Sequence, residues 1–140
     1  MTSFHHQREI PATPAQIHAA IADPARLARW WGPAGFRNTF QHFDFREGGR
    51  WQFVMHGPDG RDYPNESEFV EITPTLVRLR HVCAPFFELR IGLTATAGGT
   101  RVDWQQTFDD PQVAAAVRAI VEPANEQNLD RLAAEVLTAA

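Results

Sequence analysis

From Phe36 to Phe108 apolar residues recur mostly at every second position, the period of a half-buried β-strand. Beyond Val113 the spacing becomes helical. Ahead of Phe36 the pattern is shorter and more broken. Phe4, His6, Arg8 and Ile10 alternate with polar neighbours and predict a first strand, ended by Pro11 to Pro14. Thr13-Pro14 and Asp23-Pro24 each place a capping side chain before a proline, which is the start signal of a helix. They predict two short helices. The first buries Ile17, Ala20 and Ile21; the second carries Leu27, Trp30 and Trp31 and stops at Gly32-Pro33.

Six strands follow. Phe43 and Phe45 share one face, as do Trp51, Phe53 and Met55, on either side of the turn Glu47-Gly48-Gly49. A three-residue loop sets Arg46 opposite Arg50 and Phe45 opposite Trp51, so that both aromatic rows fall on one side of the sheet; a two-residue Gly-Gly loop would separate them. The three-residue form is the expectation. Gly57-Pro58-Asp59-Gly60 turns into a strand through Phe69 and Ile72, and Thr73-Pro74 turns again. Val77, Leu79, His81 and Cys83 line one face of the next strand. After Ala84-Pro85, Phe87, Leu89, Ile91 and Leu93 alternate with polar or small residues, and Gly98-Gly99 leads into Val102, Trp104, Gln106 and Phe108. Between these, alternation separates Glu66, Glu68, Val70 and Ile72 from Asn65, Ser67, Phe69 and Glu71 without deciding which set points inward.

Val113, Val117, Ile120, Val121, Leu129, Leu132, Ala133 and Val136 predict a long final helix, which Pro123 should kink or split. No linker or repeat interrupts the chain, so residues 1–140 read as one α+β domain with element order β-α-α-β-β-β-β-β-β-α.

Composition changes this picture in three ways. Ten Phe and four Trp against one Tyr supply bulky rings with few hydrogen-bonding tips. A net charge of −4 argues against nucleic acid or an anionic membrane, which need a basic face. All thirteen basic residues are Arg, so no lysine Schiff base or lysine nucleophile operates here. The single cysteine, Cys83, cannot form an internal disulfide, and no apolar leader or bilayer-length stretch is present. A cytoplasmic location is expected.

Several stretches spread along the chain resemble one family. They are Arg8-Glu9-Ile10 leading to Pro14; Asp23-Pro24 through Leu27-Ala28-Arg29-Trp30-Trp31-Gly32-Pro33; Phe43-Asp44-Phe45-Arg46; and Gly48-Gly49-Arg50-Trp51. Phe53-Val54-Met55-His56-Gly57-Pro58-Asp59-Gly60, Gly99-Thr100-Arg101-Val102 and Leu129-Asp130-Arg131-Leu132-Ala133 complete them. Together they resemble the SRPBCC superfamily, which includes START lipid-transfer and birch-pollen-allergen-like proteins. The closer likeness is to its AHSA-like branch, named for a co-chaperone that activates a heat-shock ATPase. The resemblance implies a helix-grip fold, in which a curved seven-stranded antiparallel sheet closes on the last helix around a cavity. Pro123 departs from the family pattern, early in the helix that roofs the cavity. The superfamily hosts carriers, cyclases, receptors and co-chaperones, so function has to be argued from the site.

The expected ligand-binding set is Trp30, Trp31, Phe43, Phe45, Trp51, Phe53, Met55, Phe69, His81, Phe87, Leu89, Ile91, Trp104, Val117 and Val121, around a hydrophobic aromatic, acyl or polyketide-like molecule. His81 shares its strand face with Val77 and Leu79 and is the best polar candidate inside. An inward Glu66 beside it would make an acid/base pair suited to cyclisation or dehydration. His5-His6 reads as surface; His42, His56 and His81 lie on different strands and could converge. No metal-ligand spacing and no cofactor motif is present, so neither is expected. Cys83, with no Lys or Arg beside it, reads as a buried unreactive thiol. The leading expectation is a small-molecule binding protein. The alternatives are a cyclase or dehydratase using the same cavity and, from the branch name alone, a chaperone partner. The exposed edge of such a sheet leaves room for a homodimer.

Overall fold

Thr13 and Asp23 do what their positions before proline foretell. The Thr13 hydroxyl accepts from the Gln16 backbone N–H and the Gln16 side chain accepts from the Thr13 N–H, a complete capping box for α1 (Pro14–Ala22). Asp23 accepts from the N–H groups of Ala25 and Arg26 to start α2 (Pro24–Trp30). The Trp30 indole N–H donates to the Ala20 carbonyl at 2.9 Å and locks the two helices together.

The computed structural model describes residues 2–138. The strands are β1 (Ser3–Ile10), β2 (Arg37–Phe43), β3 (Arg50–His56), β4 (Asp62–Thr73), β5 (Leu76–His81), β6 (Phe87–Thr96) and β7 (Gly99–Phe108), followed by α3 (Pro111–Thr138). They form one antiparallel sheet in the order β1-β7-β6-β5-β4-β3-β2, with β1 and β2 at its edges. This is the expected order of elements, and the fold is α+β with the sheet wrapped on α3.

Three local expectations are corrected, and the facing of β4, left open by alternation, is decided. Phe43, not Phe45, opposes Trp51, and Asp44 N–H donates to the Arg50 carbonyl. The connection from Asp44 to Gly49 folds on itself and docks on β4 through Gly48 N to Phe69 O and Phe69 N to Gly49 O, so it cannot close as a three-residue hairpin. The register moves by two residues, parity is kept, and both aromatic rows still share one face. A bulge after Phe40 adds that ring to the same face. In β4 the inward set is Asn65, Ser67 and Phe69, and a second bulge after Phe69 turns Ile72 inward as well. His6 is not a surface residue: its imidazole is tucked under α3, with Nδ1 2.6 Å from Glu126 Oε2. Finally, Ile120, placed by periodicity on the buried stripe, is 73% exposed, and α3 continues through Pro123 as one helix and is not split there.

The exposure of Ile120 reflects how the two halves of α3 pack. Leu129, Leu132 and Val136 sink into the main core with Trp30, Trp51, Phe69 and Ile91. The first half touches the sheet only through a small cluster in which Ala114, Val117 and Val121 meet Phe4, Phe108 and Phe87. Burying a large apolar side chain is worth roughly 1.5–3 kcal/mol, so the second half of the helix carries most of the sheet–helix attachment.

Candidate functional site

Where the two packing clusters part, the sheet and α3 leave a cavity of about 140 Å³ that opens to solvent. Its apolar wall is made by Trp31, Phe53, Met55, Leu79, Phe87, Leu89 and Trp104. Its polar groups are Asn65, Ser67, His81 and Gln106 on the sheet and Asn125 and Asn128 on the helix. Gly32, Pro33 and Ala124 complete it, and no Arg, Asp or Glu contributes.

The loop after α2 forms one wall and is held from α3. Gly32 takes φ +93°, a conformation costly for any residue with a Cβ, and its N–H donates to Asn128 Oδ1 at 3.2 Å. Asn128 Nδ2 donates back to the Trp30 carbonyl. The Arg131 guanidinium reaches five carbonyls of the same loop: Trp31, Gly32 and Pro33 from Nη1, and Arg29 and Phe36 from Nη2, all within 2.7–3.0 Å. Burial holds the Arg131 pKa below its ordinary value. One helical turn further on, Glu135 accepts from Arg29 and Arg26 and ties α3 to α2; the Arg29 hydrogen bond is the main reason its carboxyl lies below the usual range.

His81 stacks on Phe87 with ring centroids 4.5 Å apart. Its Nδ1 lies 2.7 Å from the Pro85 carbonyl, which can only accept, so Nδ1 carries a proton. Nε2 lies 2.7 Å from Asn65 Oδ1 and 3.3 Å from Cys83 Sγ. A second ring proton would serve the Asn65 oxygen, but burial is the larger influence and lowers the His81 pKa, with the Pro85 bond opposing it. Cys83 is half-buried against this imidazole rather than fully buried as expected.

Of the expected ligand-binding set, Trp31, Phe53, Met55, His81, Phe87, Leu89 and Trp104 line the cavity. Trp30, Trp51, Phe69 and Ile91 point the same way but are sealed in the core. Phe43 and Phe45 stack on each other at 5.9 Å and pack against that core away from the cavity. Val117 and Val121 belong to the smaller cluster. The pairing of Glu66 with His81 is corrected: Glu66 lies on the other face of the sheet, where its carboxylate meets Arg50 at 3.0 Å and Gln52 at 3.2 Å. His42 is exposed and His56 binds Asp62 and Thr39, so neither joins His81. Among the described residues no three His, Cys, Asp or Glu side chains gather, which leaves no donor set that a metal would fit.

The polar lining was missed by reading apolar residues alone. Asn65 and Ser67 share strand parity with Phe69, Gln106 shares it with Trp104, and Asn125 and Asn128 sit three apart on the face that carries Leu129 and Leu132.

The sequence profile of the Activator of Hsp90 ATPase homolog 1-like proteins matches residues 11–136. The chain belongs to that family. No curated protein matches it significantly. Among solved structures, a protein from Nitrosomonas europaea superposes with a TM-score of 0.89 at 18% identity, covering 99% of this chain and 96% of the other. One from Arthrobacter aurescens gives 0.90 at 23% identity, over 98% and 87%. The AHSA1 protein of Silicibacter pomeroyi gives 0.77 at 20% identity, over 99% of each chain. At these identities the likeness establishes the helix-grip fold of this AHSA1-like chain and nothing about its ligand. Among the described residues no helix is long and apolar enough to cross a membrane.

Proposed function

We propose that this AHSA1-like protein binds a hydrophobic small molecule between the sheet and the final helix. One observation carries the reading: a recess of about 140 Å³, walled by four aromatic rings, opens between the sheet and the final helix beside the buried core. Protein interiors seldom leave such space without use, because each unfilled site forfeits dispersion contacts. The solvent opening gives a guest a route in.

Filling the space tests the reading. Ser67 is buried on the cavity wall, and Ser67→Phe is expected to abolish uptake of apolar guests detected by native mass spectrometry while circular dichroism stays unchanged. Retention of the same guests by the variant would refute cavity binding. A cyclase- or dehydratase-like reaction through His81 and Glu66 finds no support, since the sheet stands between them. A chaperone partnership rests on the family name alone: Tyr63, Val70, Phe86, Ile120 and Leu137, the large exposed apolar residues, are spread over β4, the turn before β6 and both halves of α3.

A further inference from the structure

The cavity is small and its polar groups are of one kind. A cavity of about 150 Å³ holds a single benzene ring, whereas the pockets that take drug-sized ligands measure about 300–1,000 Å³. A space of about 140 Å³ therefore takes one ring, and a fused polycycle or long acyl chain would leave most of itself in water. This departs from the polyketide-like or acyl guest that the fold suggests.

The chemistry of the guest follows from Gln106 of β7 and Asn125 of α3. Both line the cavity and both are buried, with 9% and 8% of their surface exposed. They share one hydrogen bond, Asn125 Nδ2 donating to Gln106 Oε1 at 3.1 Å. The Gln106 NH₂ and the Asn125 carbonyl have no protein partner among the described residues and stay accessible on the cavity wall, where a guest can reach them. Exchanging oxygen and nitrogen in both amides leaves the same complement, one donor and one acceptor side by side. A hydroxyl matches that pair, accepting from the amide nitrogen while donating to the carbonyl. A carboxylate does not, because it can only accept and no cation lines the cavity.

Resting on the binding function proposed above, we infer that the guest is a neutral, single-ring aromatic molecule bearing a hydroxyl group. Its ring lies against Trp104 and Phe53, and its hydroxyl bridges Gln106 and Asn125.

The test titrates the full chain at neutral pH with phenol, toluene, benzoate, palmitate and pyrene, read by the NMR shifts of the tryptophan indole N–H groups and by calorimetry. Two recovered hydrogen bonds predict that phenol binds at least about tenfold more tightly than toluene, and that benzoate binds no better than toluene. In Gln106→Leu the phenol preference should vanish while toluene still binds; the ligand series on the unaltered protein decides the matter even where that variant does not fold. Equal affinity for phenol and toluene, or preference for benzoate, overturns the hydroxyl assignment. Tight binding of palmitate or pyrene with no binding of the single rings overturns the size assignment and leaves the binding function standing. Failure of every guest overturns both.

Discussion

Replacing Arg131 by Met should cost this domain about 3 kcal/mol, although the arginine has no acidic partner among the described residues. Its two terminal nitrogens offer four N–H groups to five backbone carbonyls between Arg29 and Phe36. Those carbonyls belong to the turn that follows α2, where residues 32–36 leave regular structure, and the Trp31 oxygen is shared only with the Asn38 side chain. A net 1 kcal/mol for each N–H sets the loss at about 4 kcal/mol. Removing a cation already held partly out of water returns some of this, which gives the figure of about 3 kcal/mol. For a domain of this size that is about 10 °C in Tm. Arg131→Lys separates charge from geometry. An ammonium keeps the charge but lacks the planar fork, so it should recover less than half of the loss. Urea unfolding followed by circular dichroism measures both variants, and near-ultraviolet dichroism reports whether Trp31 has come loose. A Met variant within 1 kcal/mol of the parent, or full rescue by Lys, would refute the view that this fork fixes the cavity wall.

Three further outcomes follow from the same geometry. In the unfolded chain an imidazole takes its proton near pH 6.5, whereas burial delays that step for His81. Between the two the unfolded state holds more protons, so stability should fall as pH drops from about 7.5 to 5.5, and His81→Gln should flatten that slope in pH-dependent urea melts. The depressed carboxyl of Glu135 works in a lower window: its contribution is complete above the ordinary carboxylate range and is lost as pH falls through its folded pKa. Glu135→Gln should cost about 1–2 kcal/mol at neutral pH, the modest value reflecting arginines that still reach water, and the difference from the parent should shrink in acid. Gly32→Ala should lose at least about 1–2 kcal/mol from its positive φ, and more because the new Cβ would sit 2.7 Å from Met55 Cε; a neutral result in thermal melts would mean the loop can rearrange.

What could be read from the sequence was local or periodic. Thr13-Pro14 and Asp23-Pro24 announce their helices because the capping chemistry lies within three residues, and alternation along β6 and β7 puts Leu89 and Trp104 inside without reference to any neighbour. The errors arise where a long-range pairing overrides the local pattern. Phe45 loses its place opposite Trp51 because Gly48 and Gly49 bond to Phe69 of β4, and the bulge after Phe69 reverses the side on which the rest of β4 faces. Neither event leaves a trace in the residues that undergo it.

The division of the inward rings into core and cavity is a different matter, because it depends on where α3 lies along them. Leu89 and Ile91 have the same parity and nearly the same side chain, yet only Leu89 meets the cavity. Parity specifies a face, whereas a cavity is a gap between two faces, and its position follows from where Leu129 and Leu132 dock and where Ala124 and Asn125 fall short. The residues that mark the gap are polar ones at inward positions: Ser67, Gln106, Asn125 and Asn128 would be costly in a sealed core, and they cluster where the rings stop touching the helix. Asn128 spends both ends of its amide on the loop at Trp30 and Gly32, while the pair formed by Gln106 and Asn125 keeps a donor and an acceptor in reserve. Polar residues that break an apolar stripe on two elements facing each other thus separate a binding recess from a core better than the rings around it.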